Sequence, residues 1–130
     1  MSLDTANENP GYLLGRLFSA LESAQRAALG PSVNATIKDR FYGAASATPA
    51  TIFPVLLRNA QNHFGKIRKT KRGLAISIET QIGEIIEKLD SDFPKTLGLE
   101  NQGRFAIGYY HQRNQIFKKH EPELEEGASE

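Results

Sequence analysis

Apolar residues recur with a helical period along most of the chain. In "NPGYLLGRLFSALESAQRAAL", Leu14, Leu17, Phe18, Leu21, Ala24 and Ala28 share one face at a 3.6-residue repeat, which predicts a first helix. Asn9 is placed to cap it, and Pro10 sits at the first helical position, where its missing N–H costs nothing. Gly30-Pro31 stops it. A short second helix is predicted from a cap at Ser32 or Asn34 to about Tyr42, followed by a loop over 43–46. A third opens at Thr48-Pro49 or Thr51 and aligns Phe53, Leu56, Leu57, Ala60 and Phe64, with Pro54 expected in its first turn. A fourth, from about Gly73 to Leu89, turns Leu74, Ile78, Ile82, Ile85 and Leu89 inward. Asp92-Phe93-Pro94 belongs to the connection after it, and a fifth helix covers about Leu99 to Lys119. No alternating segment is long enough to argue for a sheet. The pattern therefore predicts an all-α fold, a helical bundle of about five helices.

Length and composition bound this picture. The 130 residues suit one small domain with a modest core. Residues 9–119 are expected to form the bundle, 1–8 a flexible N-terminus and 120–130 an acidic disordered tail. With no Cys, disulfides and Cys-based metal sites are excluded. "MSLDTANENPG" has neither the basic nor the apolar part of a secretory leader, and no apolar run approaches the roughly 18 residues of a membrane span. A cytoplasmic protein without membrane association is expected. The chain shows no internal repeat.

Charge changes the picture more. The formal net charge is only +1, yet Glu121, Glu123, Glu125, Glu126 and Glu130 all fall in the last ten residues. Setting those acids aside leaves the rest of the chain at +6. The acidic end either shields a basic surface or is merely solvated.

Three stretches carry the positive charge. "GKIRKTKRG" packs Lys66, Arg68, Lys69, Lys71 and Arg72 into seven positions, read as an exposed connector between the third and fourth helices. Such a cluster repels itself unless anions or water screen it. A phosphate backbone rewards it through counterion release; a solvated loop is the plainer alternative. On the fifth helix Arg104, His111 and Lys118 recur every seven residues, flanked by Arg113 and Lys119 and preceded by Tyr109 and Tyr110. A basic stripe with aromatics suits a groove that tracks a strand and stacks its bases. The competing arrangement packs Gly103, Ala106, Tyr110 and Phe117 inward, with Gly103 and Ala106 allowing close approach to a neighbour. In "IKDRFYG", Lys38 and Arg40 precede Phe41 and Tyr42, and Asp39 is placed to tether either base or cap a turn. Nucleic-acid contact and a structural ion pair both fit this third stretch.

Catalysis finds little support. His63, His111 and His120 lack metal-ligand spacing with carboxylates, and Glu79, Glu84, Glu87 and Asp90 mostly fall on the outer face of a helix. There is no Gly-rich phosphate loop. No enzyme activity, cofactor or metal is expected.

The stretches "NPGYLLGRLFSALE", "NATIKDRFYGAASATPATIFPVLLRNAQNH", "IGEIIEKL" and "FAIGYYHQRNQIF" together resemble the C-terminal helical domain of the large subunit of type I-C CRISPR Cascade complexes. The resemblance covers about residues 9–118 and is most specific in "ATIKDRFYGAASATP" and "GYYHQR". In that family the domain is also made as a separate small subunit by internal translation initiation. A chain opening "MSLDTANENPG" ahead of the first matching helix looks like that product. The resemblance implies a non-catalytic helical bundle in the belly of a ribonucleoprotein. It would bridge the crRNA-bearing backbone subunits and the large subunit, beside other copies of itself. It would also steady the R-loop by non-specific contact with the target or displaced non-target DNA strand. No individual contact residue carries over, so the candidates remain Lys38, Arg40, Lys66, Arg68, Lys69, Lys71, Arg72, Arg104, His111, Arg113 and Lys118. The rival expectations are a protein-only assembly adaptor and a helix-turn-helix regulator, for which no base-reading helix is evident.

Overall fold

In the computed structural model the first predicted helix forms as α1 (Pro10–Leu29), and its caps are those read from the sequence. The Asn9 side chain accepts the Tyr12 N–H at 3.2 Å, and Gly30, at φ 75°, turns the chain away while its N–H reaches the Arg26 carbonyl at 2.9 Å. It is followed by α2 (Ile37–Ala47), α3 (Pro49–Thr70), α4 (Arg72–Lys88) and α5 (Leu99–Ser129). The structure describes residues 3–30, 37–89 and 92–129, with side chains only as far as Ile116. The caps considered at Ser32 and Asn34 lie outside the described residues, as do the side chains of Phe117, Lys118 and Lys119. There is no strand among the described residues.

Helix α1 is central. Every residue from Gly11 to Ala24 is buried, and all four other helices contact it. One apolar face was predicted; the helix is instead enclosed on all sides, as expected of a helix at the centre of a bundle. Successive helices alternate in direction. The Gln25 side chain accepts the Ile37 N–H while Phe18 meets Tyr42, so α2 runs back along α1. Helices α3 and α4 form a hairpin closed at Lys71. Helix α5 lies parallel to α1, with Asn9 beside Asn101 and Arg16 beside Gln112. Phe18 is the hub of the core, its ring centroid within 6.5 Å of those of Tyr42, Phe53, Phe105 and Tyr109.

The α1–α5 seam is the tightest contact. A Cβ on Gly15 would collide with the Phe105 carbonyl, and one on Gly108 with the Tyr12 carbonyl. Phe105, Tyr109, Gln112 and Ile116 therefore face the core, while Gly103 and Tyr110 are exposed. This differs from the competing arrangement that packed Gly103, Ala106 and Tyr110 inward; the Phe117 side chain lies outside the described residues. The close approach is made by Gly108, one turn further along and on a different side of the helix.

Details of α2 and α3 also differ from those expected. Helix α2 continues through 43–46, expected as a loop, because Ala44, Ala45 and Ala47 favour helix and Ala45 and Ser46 are buried. It ends at Ala47, and Thr48, the residue before Pro49, takes the N-cap position of α3 instead. Pro54 is inside α3 beyond its first turn, which starts at Pro49. The lost backbone hydrogen bond is tolerated where the neighbouring Phe53 and Leu56 anchor the helix in the core. The backbone of α5 runs on past Lys119 to Ser129, through the stretch expected as a disordered tail. In the stretch before α1, the Asp4 N–H donates to the Tyr12 hydroxyl at 2.9 Å and the Lys88 ammonium meets the Thr5 carbonyl. The fourth helix buries Ile78, Ile82 and Ile85 as predicted.

Candidate nucleic-acid interface

The basic segment 65–73 is helix for most of its length, not the exposed loop expected. Helix α3 runs through Thr70 and α4 begins at Arg72, leaving Lys71 (φ −140°, ψ 63°) as the corner. The physical reason is that the apolar face of α3 does not stop at Phe64: Ile67 is buried as well and carries the helix one turn further. Cations in that last turn also suit the negative end of the helix dipole. Their directions are therefore fixed, and they differ. Arg68 turns to α4, pairing with Glu79 at 2.5 Å and lying 5.9 Å from the Phe64 ring centroid. Lys66 points toward α2. Lys69, Lys71 and Arg72 are exposed at the corner, without an ion pair among the described residues.

Lys66 enters a groove of about 390 Å³ between α2 and α3. Its walls are Ile37, Arg40 and Phe41 of α2 and Asn59, Asn62, His63 and Lys66 of α3, with Gln25 of α1 at one end. The structure thus brings together Lys66 and Arg40, which lie in separate stretches of the sequence. His63 is half-buried, and its Nδ1 is buried without a hydrogen-bond partner among the described residues. Burial, and then the Lys66 charge, hold the imidazole below its ordinary pKa, which favours the neutral ring. Lys38, two residues from Arg40, faces another way. Its ammonium bonds the Tyr110 hydroxyl at 3.1 Å and lies 5.4 and 5.2 Å from the Tyr109 and Tyr110 ring centroids.

The seven-residue stripe on α5 is not assembled as an open basic face in the described residues. Arg104 is exposed but paired with Glu100 at 2.8 Å. His111 is half-buried, with Nδ1 2.9 Å from the Tyr12 hydroxyl. Arg113 is half-buried, and the Lys118 side chain lies outside the described residues. Tyr109 is fully buried, its hydroxyl donating to Glu22, so it offers no ring to a base. Burial, then that bond to Glu22, raises its phenol far above the ordinary range.

No group of three or more His, Cys, Asp or Glu among the described residues is placed to hold a metal ion. No described helix is long and apolar enough to cross a membrane. Residues 1–117 match the sequence model of the family described as CRISPR-associated protein (Cas_Csd1). The chain belongs to this family. No curated protein sequence matches it.

Both the basic corner and the α2–α3 groove lie within the Cas_Csd1 match, whereas the acid-rich end at 120–130 lies beyond it. This Cas_Csd1 chain also shows what the sequence reading passed over. Asn59, Asn62 and His63 were not singled out for the groove, although with Lys66 they fall at i, i+3, i+4 and i+7 on one helical face. That polar stripe opposite the Phe53–Phe64 face was the available signal.

Proposed function

We propose that this chain is a non-catalytic small subunit of a type I-C Cascade complex. In this reading it bridges the crRNA-bearing backbone and the large subunit and stabilises the R-loop by contacts without sequence preference. The observation that carries the reading is the coincidence of Cas_Csd1 membership with an exposed corner of cations, Lys69, Lys71 and Arg72, that make no ion pair among the described residues. Cations on an exposed helical corner meet phosphates and release counterions; they do not present a fixed fork to base edges. Guide pairing supplies the sequence information and the protein reads backbone and shape.

The test is to purify the crRNA-bearing complex with and without this chain and to measure R-loop formation on a matched target. Loss of R-loop formation without the chain is expected; full retention overturns the reading. Replacing Lys69, Lys71 and Arg72 together with Ala should flatten the salt dependence of single-strand binding by about 2 units, at about 0.7 per phosphate contact. A protein-only adaptor is the second reading, favoured by the exposed Leu99, Ile107 and Tyr110 along one side of α5. An adaptor would show no salt-dependent DNA binding.

A further inference from the structure

We infer that the α2–α3 groove receives one unstacked base of a single-stranded nucleic acid, laid on the Phe41 ring beside the Asn59 and Asn62 amides, with its flanking phosphates held by Arg40 and Lys66. The inference rests on the nucleic-acid reading above and names the site where a strand would be gripped.

The groove, at about 390 Å³, falls within the roughly 300–1,000 Å³ of small-ligand clefts. Its two cations come from opposite walls, Arg40 on α2 and Lys66 on α3, and neither makes an ion pair among the described residues. Three other surface cations are used internally, Arg68 on Glu79, Arg104 on Glu100 and Lys38 on Tyr110, whereas the groove pair resembles the corner cations Lys69, Lys71 and Arg72 in having no ion pair among the described residues. The amides show the same contrast. Gln25, at the end of the groove, spends its carbonyl on the Ile37 N–H at 2.9 Å, whereas the side-chain amides of Asn59 and Asn62 make no hydrogen bond among the described residues. The His63 Nδ1 is a further buried polar atom at the same place without a partner among the described residues.

Phe41 decides between a nucleotide and a plain anion. Its ring is half-buried and packed against the core on one side while lining the groove on the other, so it is held in place. An aromatic ring held at a groove wall is a stacking platform, and every base has a face to offer it. Free amides next to such a ring suit the hydrogen-bonding edges of an unpaired base. An acidic peptide would satisfy the two cations but would leave ring and amides idle. A duplex keeps its bases stacked and could not fill the groove.

The experiment uses the full chain at fixed, stated salt. Fluorescence anisotropy compares a labelled thymidine oligonucleotide with one of equal length that is abasic throughout. The expected result is tighter binding of the base-bearing strand. Phe41→Leu, which keeps apolar packing, should weaken that strand by roughly 5- to 150-fold, the range of base-on-aromatic stacking, and leave the abasic strand unchanged. Lys66→Gln should weaken both and flatten the salt slope. Equal affinity of wild type for the two strands overturns the base site and leaves the phosphate reading standing. No salt-dependent binding of either strand overturns both. Competition by polyglutamate as effective as that by the oligonucleotide assigns the groove to an acidic peptide instead. Should Phe41→Leu fail to fold, 4-thiothymidine placed in the oligonucleotide gives the answer on the wild type. Cross-links within 37–47 and 59–66 are expected, and cross-links confined to other segments overturn the proposal.

Discussion

The α1–α5 seam and the α2–α3 side of the bundle spend their polar groups in opposite ways. At the seam, glycines bring two backbones together and several buried polar side chains bond one another, although the Ser19 and Ser23 hydroxyls and one Arg16 guanidinium nitrogen have no partner among the described residues. Arg16 Nε donates to Gln112 at 2.9 Å, Gln112 donates to Gln81 at 2.6 Å, and Glu22 accepts from both Tyr109 and Arg26. Burial of Arg16, Glu22 and Gln112 is tolerated there because each makes at least one such bond. On the α2–α3 side, the side chains of Arg40, Asn59, Asn62 and Lys66 line a groove and make no hydrogen bond or ion pair among the described residues, and the corner cations continue that surface. The difference separates what the chain needs in order to fold from what it keeps for something else.

The sharpest way to break the comparison is at glycine. Gly15→Val places a branched side chain against the Phe105 carbonyl, and no rotamer moves a Cβ. The obstacle is backbone, so the loss should reach about 4–5 kcal/mol, the exceptional end for single substitutions. Gly103→Ala, on the same α5 but facing open space, should stabilise by about 0.5–1 kcal/mol. Denaturant unfolding of the two variants checks both signs. A stable Gly15→Val protein would mean that the seam is looser than described.

Next in size is the core itself. Ile85 is completely buried, and its replacement by Ala should cost roughly 2–5 kcal/mol. Ile76, on the outer side of the same helix and 55% exposed, should change stability by less than about 0.5 kcal/mol when replaced by Ala. Similar losses at both positions would show that a partner or second copy covers the outer face of α4.

These two pairs also show where the sequence was readable. Ile78, Ile82 and Ile85 announce their face by period alone, and Asn9-Pro10 and Gly30 mark the ends of α1 through local backbone chemistry. Helix α5 was misfaced because Tyr109 and Tyr110 are adjacent and equally able to pack. What decides between them is the passage of α1 over Gly108, a contact between residues nearly a hundred positions apart. The basic connector was misread because five cations suggest solvent, yet a helix needs only one apolar face, and Phe64 and Ile67 supply it. The groove takes residues from three helices, so its α3 stripe was legible but the meeting of Arg40 with Lys66 was not.

A smaller effect tests the seam's polar partners. Tyr109→Phe leaves the buried Glu22 carboxylate without its hydroxyl donor, at a cost of about 1–3 kcal/mol. The same tyrosine predicts alkaline behaviour. The native phenol stays protonated well above the ordinary value, whereas in the unfolded chain it ionises near pH 10. The unfolded state therefore releases the proton first, so this contribution is complete below about pH 10 and is lost as pH rises beyond it. Stability curves between pH 8 and 11 should fall less steeply for Tyr109→Phe than for wild type; parallel curves would place the hydroxyl in water.

The smallest effect belongs to Arg68, which stands between the two regimes. Its ion pair with Glu79 joins a side chain 56% exposed to one 36% exposed, so water screens most of the attraction. Arg68→Ala should cost under about 1 kcal/mol, and a double-mutant cycle with Glu79→Ala should give a coupling of about 0.2–1 kcal/mol. The more telling readout is on nucleic acid. Glu79 already neutralises Arg68, so it has few counterions to release, and Arg68→Ala should leave the salt slope of single-strand binding unchanged. Lys69→Ala, one residue away and without an ion pair among the described residues, should flatten that slope by about 0.7. Equal slopes for the two variants would show that a nucleic-acid strand draws Arg68 off Glu79, and the division between internal and available cations would then have to be redrawn at the α3–α4 corner.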